Sequence, residues 1–205
     1  MKKGLIVALV LGAIILIGGC QACNLQKGLV QLDEEVNSKW GTVQTQYQRR
    51  ADLIPNLVET VKGAADFEKS TFTGIAEARS GALSAASALK NATNVSADQL
   101  TAEKMAEIQR ASAQAQGAAR MMINVVMENY PNLKANQNFL DLQAQLEGTE
   151  NRINTARIGY NDAVKVYNVK VRTFPNNIFA GMLGFHKKEM FQAEAGADKS
   201  PKVKF

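Results

Sequence analysis

Eleven apolar positions between Leu29 and Ala65 recur at a mean interval of 3.6 residues, ten steps covering 36 residues. They are Leu29, Leu32, Val36, Trp40, Val43, Tyr47, Ala51, Ile54, Val58, Val61 and Ala65. The interval is the period of an α-helix, and the opposite face carries Asp33, Glu34, Asn37, Lys39, Gln44, Gln48 and Glu59. A helix with an apolar stripe of that length has to bury it against other helices. Pro55 lies within the stretch, lacks a backbone donor and crowds the carbonyl of Ala51, so a kink is expected there. Lys62-Gly63 is the expected stop.

The remainder reads the same way. Prolines occur only at 55, 131, 175 and 201, and the frequent turn signals of a β-rich chain are absent. Residues 66–90 form a second helix, with Phe67, Phe72, Ile75, Ala78, Ala82 and Leu83 facing inward. Residues 91–95 read as a loop, and Ser96-Ala97-Asp98-Gln99 as a capping box. The helix it opens runs to about Glu128 through Leu100, Met105, Ile108, Ala115, Met122, Val125 and Val126, and stops at Tyr130-Pro131. The last long helix starts near Asn136 or Asn138 and ends before Pro175. Its inner row is Phe139, Leu142, Leu146, Ile153, Tyr160, Val164, Tyr167 and Val171. Residues 174–185 should fold back onto the helices, and 193–205, small and charged without periodicity, should be disordered.

The fold class expected is therefore all-α: an N-terminal membrane helix followed by an elongated antiparallel, up-down-up-down four-helix bundle over 28–192. First and last bundle helices then run antiparallel, with position n facing roughly 199 minus n. This places Trp40 near Tyr160, Tyr47 near Ile153, and Arg50 near Thr149 and Glu150. An isolated charge in a helix seam is costly, so Arg50 and Glu150 are the expected register-setting pair.

Residues 4–19, GLIVALVLGAIILIGG, hold no charge and no amide and follow Lys2 and Lys3. Residues 1–25 are accordingly read as a membrane anchor, of two alternative kinds. One is an uncleaved transmembrane helix continuing to Leu25, slightly short of the roughly 20 apolar residues a bilayer core requires. The other is a lipoprotein signal, in which Ile17-Gly18-Gly19-Cys20 resembles a lipobox and Cys20 carries the lipid. Both keep the lysines cytoplasmic and put the rest of the chain outside the cytoplasmic membrane.

Chemistry-bearing patterns are sparse. The net charge of +5 is scattered without an arginine-rich helix or a stacking platform, which argues against nucleic acid. Cys20-x-x-Cys23 would supply two zinc ligands, and His186 is the single histidine, so a closed zinc site is short of ligands. A Cys-His catalytic pair would need those cysteines beside His186, which sits in a basic stretch. Glu34-Glu35 and Glu147/Glu150 read as solvated helix faces. No catalytic, cofactor-binding or metal-binding residue is expected, nor a small-molecule substrate.

Three segments carry a resemblance: RRADLIPNLVETVKG at 49–63, YPNLKANQNFLDLQAQLEGTENRINTARIGYNDAVKVYN at 130–168, and FPNNIFAGMLGF at 174–185. With Leu32-Asp33-Glu34-Glu35-Val36 and Trp40 they resemble the LemA family over residues 28–194. The resemblance implies an N-terminal membrane segment and an antiparallel helix bundle facing the cell envelope, and it carries no catalytic residue to this chain. The function expected is a non-enzymatic scaffold of the bacterial envelope that binds an unidentified envelope protein. The alternative is a lipid- or membrane-organising protein that uses the amphipathic segment 177–191, rich in Ile178, Phe179, Met182, Leu183, Met190 and Phe191 beside Lys187 and Lys188.

Overall fold

A computed structural model describes the backbone of residues 2–65 and 73–192, and the side chains of 24–63 and 75–192. The chain is all-α among the described residues. Helix α1 spans Lys2–Ala65, α2 Thr73–Thr93, α3 Ala102–Asn129, α4 Pro131–Lys134, α5 Gln137–Arg172 and α6 Asn176–Met182. A single 3-10 turn, Ala97–Gln99, lies between α2 and α3.

Helix α1 is the organising element. It is unbroken from the apolar run to Ala65, with Pro55 inside it, and so passes the expected stop at Lys62-Gly63. Its apolar stripe is almost wholly buried: Leu29, Val36, Trp40, Val43, Tyr47, Ala51, Ile54, Val58 and Val61 all lie in the core, and Leu32 packs against it. Helices α2, α3 and α5 each pack on α1, and α2 also packs on α3. The ring centroids of Trp40 and Tyr160 lie 5.8 Å apart, and Arg50 and Glu150 line the same cavity. The two pairs fix α1 and α5 as antiparallel, in the register expected.

The seams differ in bulk. Helix α2 presents Ile75, Ala78, Ala82, Ala86, Leu89 and Ala92, mostly alanine, which lets its backbone come close to its neighbours. Leu83 was expected inside; it is exposed instead, one residue and about 100° of helical turn beyond Ala82. Phe67 and Phe72 lie outside the described residues.

Local signals resolve more finely than expected. Helix α2 runs to Thr93, so the expected loop shrinks to residues 94–96. The capping box forms, with Gln99 Oε1 accepting the Ser96 N–H at 3.1 Å, but it starts only the 3-10 turn. Thr101 is the true N-cap of α3, its hydroxyl accepting the Lys104 N–H at 3.2 Å. Asn136 caps α5 in the same way, bonding Asn138 N at 2.9 Å. Tyr130 ends α3 as expected, and Pro131 then occupies the first turn of α4, where its missing donor costs nothing.

The segment 177–191 is not one amphipathic helix. Helix α6 ends at Met182, and Gly184, at φ +81, adopts the left-handed conformation. The Phe185 N–H bonds Ala180 O at 2.9 Å and the Gly184 N–H bonds Gly181 O at 3.3 Å, a Schellman stop that helical propensity alone does not reveal. Residues 185–192 then run back along the bundle without regular structure. The anchor reading of 1–25 falls mostly on side chains outside the described residues, and the tail 193–205 lies wholly outside them. Among the described residues no helix is long and apolar enough to cross a membrane.

Candidate interaction groove

Arg50 sits in the inner row of α1, between Tyr47 and Ile54, and is 4% exposed. A guanidinium there must find acceptors, because a buried charge without them is costly. Its Nη1 donates to Ser112 Oγ at 2.9 Å and reaches Ser112 O at 3.5 Å. Burial lowers the Arg50 pKa from its ordinary value, and the nearby Glu150 carboxylate offsets part of that effect. Glu150 itself accepts from Arg120 Nη2 at 3.2 Å, on the opposite wall. Arg50 and Glu150 thus line one cavity without the direct pair expected between them: Ser112 holds Arg50 and Arg120 holds Glu150.

Helices α3 and α5 flank α1 here, and their backbones stand apart, bridged by the Arg120–Glu150 ion pair. The gap between them is a groove with Arg50 as its floor. One cavity of about 330 Å³ is walled by Ala119, Ile123 and Leu146 with Gln116, Arg120 and Glu150. A second, of about 440 Å³, shares Arg50, Gln116 and Glu150 with it and extends to Arg157, Phe191 and Gln192. An apolar wall beside a few fixed guanidinium and amide groups suits recognition of a side chain or helix that brings acceptors. Among the described residues no cluster of three or more His, Cys, Asp or Glu could hold a metal ion.

Residues 185–192 close one end of this groove and are tied down by two asparagines of α5. Asn168 Nδ2 donates to Lys188 O at 2.8 Å, and Lys188 N donates back to Asn168 Oδ1 at 2.9 Å. Seven residues earlier, Asn161 makes the same pair with Phe191, at 3.0 and 2.9 Å. Spacing of seven puts both amides on one side of α5, facing the returning chain. Phe191 then packs edge-on to Tyr160, centroids 5.5 Å apart, and lies 6.3 Å from Trp40. The Arg157 guanidinium stacks 4.7 Å above its ring.

Lys188 is 8% exposed and bridges Asp33 at 2.8 Å and Asp98 at 2.6 Å. Burial pushes its pKa down, but the bonds to Asp33 and Asp98 outweigh that and hold it above the ordinary lysine value. One ammonium therefore joins α1, the 3-10 turn and the returning chain. The Tyr160 hydroxyl donates to Glu189 O at 3.1 Å, and burial pushes this phenol well above its usual pKa. The adjoining loop is stitched to α1 as well. Trp40 Nε1 donates to Val95 O at 2.8 Å, and Gln44 Nε2 to Thr93 O at 2.8 Å and Val95 O at 2.9 Å.

Sequence periodicity pointed to Arg50 and Glu150 but not to Ser112, Arg120, Asn161 or Asn168, and Lys188, expected on a membrane-facing segment, is buried against Asp33 and Asp98. The one available signal was the Asn161/Asn168 spacing on the α5 face that carries Tyr160, Val164 and Tyr167. Cys20 and Cys23 fall among the side chains outside the described residues, and His186 is exposed.

The LemA family model matches residues 39–205 of the chain. Two magnetosome proteins of Paramagnetospirillum magneticum, MamQ 1 and MamQ 2, are each 25% identical over 181 residues, covering 82% of this chain and 65% of their own length. Protein LemA of Metamycoplasma hominis is 24% identical over 166 residues, 80% of this chain and 68% of its own. The chain thus spans 65% of the length of the MamQ relatives it matches. The match takes in α2 to α6, most of the packed stripe of α1, and the strap that closes the groove, so the chain belongs to the LemA family.

Proposed function

We propose that this protein is a membrane-anchored helical scaffold of the bacterial cell envelope, which binds a partner protein and carries no catalytic activity of its own. The observation that carries the reading is the continuity of α1, one helix of 64 residues, about 95 Å long at the usual rise. Its first third in sequence is the charge-free run behind Lys2 and Lys3, and its remainder is the spine on which α2, α3 and α5 pack. A bundle built on the extension of its own anchor has its orientation to the bilayer fixed by helix stiffness. The four long helices then stand up-down-up-down outside the membrane, with the N-terminus cytoplasmic. A lipid on Cys20 would serve the same tethering, with the bundle held by acyl chains instead of a spanning helix.

The groove floored by Arg50 is the surface offered to the partner. The names of the MamQ relatives refer to a cell structure and not to a reaction, which agrees with an assembly role. The test is photocrosslinking in intact membranes from positions 116 and 154, which line the groove, and from position 39 on another face. A discrete adduct from the groove positions alone is the expected result. Adducts from neither face, or equally from both, would remove the groove from the proposal.

The alternative, a membrane-organising role for segment 177–191, divides at Gly184. Phe185, Met190, Phe191 and Lys188 belong to the packed strap. Within the segment, the exposed apolar side chains are Ile178 and Met182 of α6 and Leu183 just after it.

A further inference from the structure

Phe174, Ile178, Met182 and Leu183 are 75%, 54%, 80% and 41% exposed. Ile178 and Met182, four residues apart, lie along one side of α6, and Phe174 stands in the turn that leads into it. Ala180 alone is fully buried on the opposite side and docks the helix.

The level of α6 along α1 is bracketed from both directions. Trp40 faces Tyr160 and Arg50 shares a wall with Glu150, so Val171 stands level with about Leu29. The chain leaves α6 and returns with Lys188 on Asp33 and Phe191 beside Trp40. Helix α6 packs on α1 and on α5, beyond Asp33 on the N-terminal side. Leu25, near that level, packs against the core. From Leu25 back to Gly19, where the apolar run ends, is six residues of helix, about 9 Å. The polar layer on one side of a bilayer is about 5–8 Å deep.

Charge at this end has one sign. Residues 24–32 and 168–186 contain Lys27, Lys170 and Arg172 and no aspartate or glutamate, whereas Lys187 pairs with Glu189 at 3.4 Å. The first three are exposed. Apolar side chains at headgroup depth, ringed by cations, are the composition of an element that lies in an anionic interface.

We propose that α6 is a foot, its Ile178 and Met182, with Phe174 of the preceding turn, inserted into the headgroup layer of an anionic phospholipid bilayer, with Lys27, Lys170 and Arg172 on the phosphates. The foot rests on the reading of residues 4–19 as the anchor, since only that sets the bilayer beside α6. Together they hold the bundle at two points and oppose its swinging about a single helix.

The test uses the full chain reconstituted into phosphatidylcholine–phosphatidylglycerol vesicles. Trp40 is the single native tryptophan, buried in the core and 16 residues, about 24 Å, up α1 from Asn24, so it serves as the reference. The variant Met182→Trp adds a second indole at a site exposed enough not to disturb folding. The expected result is additional emission at short wavelength that is quenched by lipids brominated near the carbonyl end of their chains. The wild type should show no such quenching. Replacing Lys27, Lys170 and Arg172 by Gln should reduce the quenching in anionic vesicles. A water-like emission from the new indole, open to aqueous iodide while the protein stays with the vesicles, overturns the foot and leaves the anchor standing. So does shielding from both iodide and bromine, which would mean that a second copy covers α6. Release of the unmodified chain from the vesicles overturns the anchor and the foot with it.

Discussion

Asn168 holds the main chain of Lys188 from both sides, donating to its carbonyl at 2.8 Å and accepting from its N–H at 2.9 Å. A side-chain amide used this way imitates one rung of a sheet ladder on the flank of a helix. It lets an irregular strap run against α5 with its polar groups satisfied. Asn168→Ala removes both bonds and leaves a buried donor and acceptor open, a loss of about 3 kcal/mol. Chemical denaturation of the detergent-solubilised protein measures it. Asn161→Ala, at a less buried site, should cost less. A cost below that of Asn161→Ala would show that water replaces the Asn168 contacts.

Alkaline pH should loosen the same region. The folded-state pKa of Lys188 is raised by Asp33 and Asp98 against the effect of burial, and those of Tyr160 and Tyr167 are raised by burial. A raised pKa means the native state binds the proton more tightly than the unfolded chain does. These contributions are therefore complete below the unfolded values, about 10 for both residue types, and fall away as pH climbs through the folded ones. Melting temperature should be flat from neutrality to about pH 9.5 and decline beyond it. Lys188→Met should make the decline shallower, and an unchanged slope would remove Lys188 from the account.

Arg50 separates stability from recognition. Replacing a buried charge by an apolar side chain of similar length is often close to neutral, because the desolvation cost disappears with the charge. Glu150 keeps Arg120 at 3.2 Å, and Ser112 can return its hydroxyl to the preceding helical turn. Arg50→Met should thus shift stability by no more than about 1 kcal/mol. The groove-specific crosslink in membranes should be lost. Retention of the adduct would show that the partner does not use the guanidinium.

Trp40 reports on the loop between α2 and α3. Trp40→Phe removes the bond to Val95 O, but Gln44 still reaches that carbonyl at 2.9 Å. The cost should be about 1–2 kcal/mol, set mainly by the smaller ring left against Tyr160 and Phe191. Far-UV circular dichroism follows the transition, since the fluorophore is gone. The double variant with Gln44→Ala should lose more than the sum of the two.

Gly184→Ala isolates a backbone effect. No atom lies within 4 Å of the position a Cβ would take, so the cost comes from φ +81 alone. It should be about 1 kcal/mol. Faster amide exchange confined to residues 180–186 should accompany it, and equal acceleration throughout α5 would contradict a local role.

The helices and their buried faces were legible in the chain because a period of 3.6 recurs wherever one side of a helix meets a core. From Leu29 to Val61 and from Phe139 to Val171 that rule places nearly every inner residue correctly, and the same counting brings Trp40 to Tyr160. It failed at Leu83, where bulk suggested burial and phase did not allow it. The short irregular parts were less legible, since Ser96 and Thr101 are both competent caps and only packing chooses between them.

Sequence by itself determined that this is a long apolar-led helix followed by helices sharing one core, because periodicity is a local property and needs no partner to be seen. Tertiary structure decided what lies between the helices. It set Arg50 under the gap between α3 and α5, folded Lys188 onto Asp33 and Asp98, and split the segment 177–191 into a packed strap and an exposed α6. Those outcomes depend on groups 20 to 155 residues apart in the chain meeting in space, as Asn168 meets Lys188 and Asp33 meets Lys188. Charge and hydrogen-bond partners at such separations have no period, so no count along the chain reveals them.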